Sequence, residues 1–396
     1  MFGIIFLFLY VLVQIGVSIL TEYVIQKNRL YRRIGKKTRI LRIFIYGILA
    51  LIPVLGAFLP KSGFKYFCMG FGNLWLGFFM FYSVFVIVAA VIILIFSKAR
   101  KDKEWEAMGH ALNIAFVLSL IISVYGLVHA QGPRIVNYEI NIDKETANLK
   151  DLKVALIADL HLSVNSDVRL TRKMVEKVNS VNPDLIVIAG DIFTSNYQGL
   201  RHPEKYSEAL SKLKAKYGVY AVGGNHDVDE NLFIGFSISP VSEAFRTNEM
   251  DRFFDDCGFQ MLYDENIGIA DGEIILSGRV DGEKAGDGTR NRLDAKALLS
   301  TADLTKPVLV LEHEPIDFKA LAENGADAVF CGHTHNGQVF PGNLIIPFFN
   351  ENAYGLKELY GIDTIVTAGV GYYGPPLRVG TDSEVTVVDI TFGKGK

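Results

Sequence analysis

Four apolar stretches of membrane-spanning length crowd the first third of this 396-residue chain, and none of them fits a water-soluble fold. They are Met1 to Leu20, Ile40 to Leu59, a run from near Tyr66 to Phe96, and Met108 to Ala130, each with few or no charges inside. A hydrocarbon core of about 30 Å takes roughly 20 helical residues, and backbone in lipid must satisfy its own hydrogen bonds, so four helical spans are expected. The third run is overlong and contains Gly70, Gly72 and Asn73, which suggests an interfacial turn followed by a span from Leu74 to Phe96. The first run has no basic leader and no small-x-small site near its end, so it reads as an anchor rather than a cleaved signal peptide.

Charge divides the chain in two. Through Arg134 there are 15 Lys and Arg against 4 Asp and Glu, a net of +11, which leaves 25 against 39, a net of −14, beyond it. The positive residues concentrate in the first loop (Lys27, Arg29, Arg32, Arg33, Lys36, Lys37, Arg39) and the third (Lys98, Arg100, Lys101, Lys103), with only Lys61 and Lys65 in the second. Basic loops stay in the cytoplasm, so both termini and the second half of the chain are expected outside it, at a cell membrane of bacterial type. An acidic second half repels phosphate backbones, so no nucleic-acid polymer is expected as a partner. The three cysteines, Cys68, Cys257 and Cys331, form no ladder of pairs and suggest no disulfide framework.

Beyond the spans the pattern changes to short apolar runs: Val154 to Ala158, Leu185 to Ala189, Val219 to Val222, Val308 to Leu311 and Ala326 to Cys331. Each lacks polar alternation, as a strand buried on both faces does. Helix-like stretches at Val168 to Asn179, Pro203 to Lys216 and Ile316 to Glu323 lie between them, while Ile135 to Ile142 reads as an edge strand and Glu384 to Phe392 as a final one. The alternation predicts a layered α/β domain, with ligands gathered beyond the carboxyl ends of its strands. The expected division is a membrane domain over residues 1–133 and an enzyme domain over residues 134–396.

Five polar clusters follow these runs: Asp159-Leu160-His161, Gly190-Asp191, Gly224-Asn225-His226-Asp227, His313, and Gly332-His333-Thr334-His335. Carboxylate, amide oxygen and imidazole together suit borderline divalent ions such as Mn, Fe, Zn or Co. Asp191, alone after a buried strand, is the candidate for a bridging carboxylate. Asp159, His161 and His335 would then hold one ion, and Asn225, His313 and His333 a second. Two such ions clamp a phosphoryl group and generate hydroxide near neutral pH, which leaves His226 free to protonate a leaving oxygen. Any one cluster alone means a turn or a cap; five in order, each at a strand end, point to a metal site.

In that order the clusters resemble the calcineurin-like metallophosphoesterases, over roughly Asp151 to Phe392. The resemblance implies a β-sandwich flanked by helices, two divalent metals and hydrolysis of phosphomonoesters or phosphodiesters. His333-Thr334-His335-Asn336-Gly337-Gln338 and Ser277-Gly278-Arg279-Val280-Asp281 are similar to a bacterial, membrane-attached branch, which usually carries Ser in place of Ala158 and Gly in place of Asn336. Relatives of this type include lipid hydrolases, so lipid-linked pyrophosphates stand among the candidate substrates, with membrane lipids as neighbours.

Further polar residues have two readings each. Arg279, Arg378 and His202 have the chemistry to reach a substrate phosphate, or serve as partners of nearby acids. Asp227 either orients His226 or a ligand, or caps a turn. Glu312 and Glu314 flank His313 but point the other way on a strand, which suggests a structural role. For the whole protein, a catalytically silent metal-binding sensor or scaffold is the alternative to a hydrolase. Retention of the non-ligand His226 favours the hydrolase.

Overall fold

The computed structural model describes residues 2–28, 32–96, 101–195, 197–233, 236–237 and 239–393. The chain divides into two compact units: Met1–Val128 with Asn231–Ile238 and Gly374–Leu377, and His129–Glu230 with Ser239–Tyr373 and Arg378–Lys396.

The first unit is built on helices α1 (Phe2–Lys27), α2 (Arg32–Phe58), α3 (Gly63–Phe96) and α4 (Lys101–His129). All four are long and apolar enough to cross a membrane. The turn expected near Gly70 to Asn73 is absent, and α3 is one continuous helix through them. The reason is physical: in lipid, leaving the helix would strand backbone groups, and small residues serve close packing instead. A Cβ added at Gly72 would stand 3.0 Å from Pro53 Cα, so α2 and α3 meet nearly backbone to backbone. Arg42 of α2 donates from Nε and Nη2 to both carboxylate oxygens of Glu22 in α1, at 2.8 and 2.7 Å. Of the basic loop residues, Arg29, Lys98 and Arg100 lie outside the described residues.

The second unit carries two six-stranded sheets. The first contains β1 (Arg134–Ile142), β2 (Asp151–Ile157), β3 (Leu185–Ala189) and β4 (Val219–Val222). After β5 (Leu232–Phe233) and β6 (Phe236–Ser237), a hairpin of the first unit, the chain returns as β7 (Gln260–Met261). The second sheet contains β8 (Glu265–Ile269), β9 (Ile274–Gly278), β10 (Val308–Leu311), β11 (Ala328–Cys331), β12 (Gly355–Leu359) and β13 (Ile362–Val366), and β14 (Glu384–Phe392) returns to the first. The strand orders are β1-β14-β2-β3-β4-β7 and β12-β13-β11-β10-β9-β8. Neighbours β2, β3 and β4 run parallel, as do β9, β10 and β11, so their carboxyl ends open on one side of each sheet.

Alternation along single strands shows why the sheets pack as a sandwich. In β3, Leu185, Val187 and Ala189 enter a core shared with Leu309, Leu311 and Phe330 of the other sheet. Ile186 and Ile188 face the opposite way, against Met174, Phe253 and Phe254. Those three lie on α5 (Val168–Ser180) and, after α6 (Pro203–Leu210), on α7 (Asn248–Cys257). In β10, Leu309 and Leu311 face the sandwich, while Val308 and Val310 pack on Leu298, Phe318 and Leu321. These come from α8 (Ala295–Leu299) and α9 (Phe318–Glu323). The layers are therefore helix, sheet, sheet, helix, the mixed architecture expected. Helix α6 stops at Leu210, short of the expected Lys216, and α9 starts two residues after Ile316. Cys68, Cys257 and Cys331 are buried free thiols.

Candidate metal centre

Three strands stop just short of the polar clusters, and the backbone then turns sharply. Asp159, His161, Asp191, His333 and His335 all adopt positive φ, between 45° and 72°. A left-handed backbone at residues other than glycine costs free energy and survives only where surrounding contacts enforce it. Here they do: Asp159 N–H donates to Gly190 O at 3.0 Å, His161 N–H to Asp191 O at 3.0 Å, and His333 N–H to both Asp159 oxygens at 3.1 Å. Gly332 is required by the same crowding, since a Cβ there would come within 2.6 Å of Asp159 Oδ2.

The seven candidate ligands meet at the strand ends. His161 Nε2 lies 2.9 Å from His335 Nε2, and Asp159 Oδ1 lies 3.9 and 3.5 Å from those two nitrogens. On the other side His313 Nε2 lies 3.1 Å from Asn225 Oδ1 and 3.2 Å from His333 Nδ1. Asp191 Oδ2 stands between the groups, 3.5 Å from His161 Nε2 and 3.1 Å from His313 Nε2. Oxygen and imidazole donors spaced this way suit cations at about 2.0–2.2 Å from each ligand, so the residues fit a divalent metal. Asp159, His161 and His335 form one compact donor group; Asp159, Asp191 and His313 form another.

Outer contacts aim the donors. His313 Nδ1–H donates to Ala189 O at 2.7 Å, which leaves Nε2 as the lone-pair nitrogen facing Asp191 and Asn225. His161 Nδ1 pairs with Thr194 Oγ1 at 3.0 Å, again freeing Nε2. Asn225 Nδ2 donates to Glu283 Oε2 at 3.2 Å, turning Oδ1 toward His313. Burial pushes His161 and His333 down to about 4, keeping both imidazoles in the neutral, ligating form. Burial also raises Asp159 to about 7 against the pull of His313. For Asp191 the same burial penalty is overcome by His313 and His226, which hold its carboxyl well below the usual range.

His226 is held beside the donors without joining them. Its backbone N–H donates to Asp191 Oδ1 at 2.9 Å, and its Nδ1 lies 3.0 Å from Ser195 Oγ. Ser195 O–H donates to Glu230 Oε1 at 3.1 Å, and Lys284 Nζ donates to the same oxygen at 2.6 Å. Tyr373 covers the ring at a centroid distance of 4.5 Å and His161 at 5.1 Å. Gln338 fixes Tyr373 by accepting its N–H at 2.7 Å and donating to its carbonyl at 2.9 Å. Ser195, Glu230, Lys284 and Tyr373 were not among the residues expected from sequence, and Gln338 entered only as the end of the branch-like motif that starts at His333.

The remaining expected residues fall in varied places. Asp227 accepts N–H bonds from Gly224 at 2.9 Å and Phe193 at 2.8 Å, bracing the loop that carries Asn225. Arg378 is fully buried; it donates to the carbonyls of Ala368 and Gly371 at 2.6 and 2.7 Å and stands 3.3 Å from His335 Nδ1. Arg279 is buried against Glu312 at 3.0 Å and Asp317 at 3.1 Å. The guanidiniums of Arg378 and Arg279 are thus both engaged by the protein itself. His202 is exposed at the start of α6 beside Glu204.

The sequence profile described as calcineurin-like phosphoesterase matches residues 152–337, a span that holds all seven donors. The chain carries a calcineurin-like metallophosphoesterase domain. Domains of this class are metal-dependent phosphoric ester hydrolases. The chain is similar to a transmembrane protein with metallophosphoesterase domain from Danio rerio, 29% identical over 309 residues, 73% of this chain and 65% of that protein. It therefore spans slightly less than two thirds of that relative. An uncharacterized metallophosphoesterase of Campylobacter jejuni is 29% identical over 302 residues, 75% of this chain and 74% of its own length. The UDP-2,3-diacylglucosamine pyrophosphatase LpxG of Chlamydia trachomatis is 24% identical over 239 residues, 52% of this chain and 70% of its own. Four apolar helices and relatives named as transmembrane proteins make the metallophosphoesterase domain part of a membrane-associated chain.

Proposed function

We propose that this chain is a membrane-anchored, dinuclear phosphoesterase that hydrolyses a phosphomonoester, a phosphodiester or a lipid-linked pyrophosphate. The observation that carries the reading is Asp191 Oδ2, 3.5 Å from His161 Nε2 and 3.1 Å from His313 Nε2, one carboxylate oxygen beside a histidine from each proposed ligand set. Divalent ions in such a site supply positive charge to a phosphoryl oxygen and lower the pKa of water. Asp159, His161 and His335 would hold one ion, Asn225, His313 and His333 the other, and Asp191 both. His226 turns Nδ1 to Ser195, which leaves Nε2 free; as an imidazolium the ring would hand its Nε2 proton to the departing oxygen as the phosphorus–oxygen bond breaks.

A lipid-linked substrate is supported by the four apolar helices and by the activity that the Chlamydia relative is named for, a pyrophosphatase of a diacylated sugar nucleotide. The basic first and third loops support a catalytic domain outside the cytoplasm of a bacterial cell, with residues 134–396 as the enzyme part. The acidic second half speaks against a nucleic-acid polymer as substrate.

The test is manganese-dependent hydrolysis of bis(p-nitrophenyl) phosphate by the full chain, alongside Asp191→Asn and His226→Ala. Asp191→Asn is expected to lose both metal and activity, and His226→Ala to keep metal while losing rate, modestly with this p-nitrophenyl ester and roughly 10²-fold or more with an alkyl phosphodiester. Equal, negligible rates for all three would turn the reading into that of a metal-binding sensor.

A further inference from the structure

Directly after the last donor, His335, the chain runs from Asn336 to Asn350 without a single charge and with the sequence Val-Phe-Pro-Gly-Asn-Leu-Ile-Ile-Pro-Phe-Phe at its centre. Within this stretch Phe340 is 54% exposed, Leu344 58%, Ile345 49%, Phe348 85% and Phe349 78%. Among the described residues of the second unit, these are five of eleven large hydrophobic side chains that face solvent, and the other six are scattered singly. Burial inside the protein does not account for so dense a cluster, and a patch of this kind marks a surface meant to meet something apolar.

The fold shows what lies near it. Phe340 N–H donates to Val379 O at 2.7 Å, and Thr381 Oγ1 donates to Gln338 O at 2.5 Å, so the root of the apolar segment is tied to residues 379–381. The very next residues hold the exit of the last membrane helix: Asp382 pairs with His129 at 2.9 Å and with Arg134 at 2.7 Å, and Ser383 Oγ donates to Ala130 O at 3.0 Å. His129 is the final residue of α4, which is long and apolar enough to cross a bilayer. One five-residue strap, Val379 to Ser383, therefore holds both the point where the chain leaves the membrane and the base of the exposed patch.

We infer that Phe340 to Phe349 is an interfacial segment that seats in the lipid surface of the membrane the chain spans. Its aromatic and aliphatic side chains, free of charge, match the headgroup and acyl boundary, where aromatic rings settle and apolar area is buried. The segment begins five residues after His335, the last of the candidate donors. The inference stands independently of which phosphate ester is cleaved.

The test uses the full chain in nanodiscs of phosphatidylcholine and phosphatidylglycerol, with Phe348→Cys labelled by an environment-sensitive fluorophore. Cys68, Cys257 and Cys331 are buried, and the unsubstituted chain serves as the labelling blank. Lipids bearing a nitroxide near the start of the acyl chain are expected to quench the probe at position 348 about twofold or more, as for a residue at the acyl boundary. A probe at Tyr360→Cys, which is 51% exposed in the same unit, is the solvent control. Quenching at 348 no stronger than at 360 overturns the inference. So does disulfide-linked dimer formation through unlabelled Phe348→Cys without lipid quenching, which would give the patch to a second copy of the chain. Hydrolysis of the soluble diester by Phe348→Cys reports the phosphoesterase reading separately, and is expected to match the unsubstituted chain.

Discussion

Ser195 Oγ lies 3.0 Å from His226 Nδ1, and because the same hydroxyl donates to Glu230 it must accept from the imidazole. This fixes the proton on Nδ1 and aims Nε2 outward. It also places the Glu230 carboxylate, itself paired with Lys284, one hydroxyl away from the ring. Ser195→Ala and Glu230→Gln are therefore expected to keep full metal content but to lose roughly 10–100-fold in rate with esters of alkyl alcohols, whose departing oxygen needs a proton. With p-nitrophenyl esters the loss should be several-fold smaller, and Ser195→Thr should recover most of it. A plot of rate against leaving-group pKa for each variant checks this: parallel lines would mean that the hydroxyl merely supports the loop.

Gly224 shows why the ligand loops tolerate so little. A Cβ at this position would strike Asp191 Oδ1, the same atom that accepts the His226 N–H. Gly224→Ala is expected to displace the shared carboxylate and lower metal affinity by at least about tenfold, the range seen when residues that orient ligands are lost. Isothermal titration with manganese would show it, and unchanged affinity would mean the carboxylate has room to shift.

The candidate metal donors stood out in the sequence because each sits just past a short, wholly apolar strand, where polar residues have no structural reason to cluster. Asp159, Asp191 and Asn225 all stand out in this way. The strands were legible for the same reason, since Leu185 to Ala189 must bury both faces. What could not be read was anything that depends on which distant segments meet. Ser195, Lys284 and Tyr373 become partners of the His226 environment only when loops far apart in sequence converge. The helix through Gly70 and Gly72 was hidden too, because glycine breaks helices in water but lets them pack closely in lipid.

Arg378 divides a substrate role from a structural one. Buried and bonded to the carbonyls of Ala368, Gly369, Gly371 and His335, it ties the loop after β13 to the loop carrying His335. Burial lowers its guanidinium to about 10, so it stays charged near neutral pH. Arg378→Lys removes the planar fork and leaves several of these acceptors unmet, at about 1–3 kcal/mol each. A clear drop in thermal unfolding temperature is expected, with KM for a soluble diester changed less than twofold or so in protein that remains folded. A large rise in KM at unchanged stability would instead place the guanidinium on the substrate.

Asp281 carries a pH dependence that a substitution can isolate. Burial pushes its carboxyl up to about 8, with Glu314 and Asp191 adding to the shift and His313 opposing it. Oδ1 accepts the N–H groups of Glu283 and Lys284 at 2.9 and 2.8 Å, while Oδ2 has no hydrogen-bond partner among the described residues. A carboxyl whose folded value exceeds its unfolded one keeps its proton in the folded state only. Stability from this group is thus gained as pH falls from about 8 toward 4 and lost as pH rises through the same range. Asp281→Asn retains the acceptor at Oδ1 without the charge. It should unfold at a higher temperature than the unsubstituted chain at about pH 8.5, with the gap closing near pH 5, where the native carboxyl is already protonated. Thermal unfolding of both proteins at the two pH values decides the matter, and an equal gap at both would show that the carboxylate is ionised throughout.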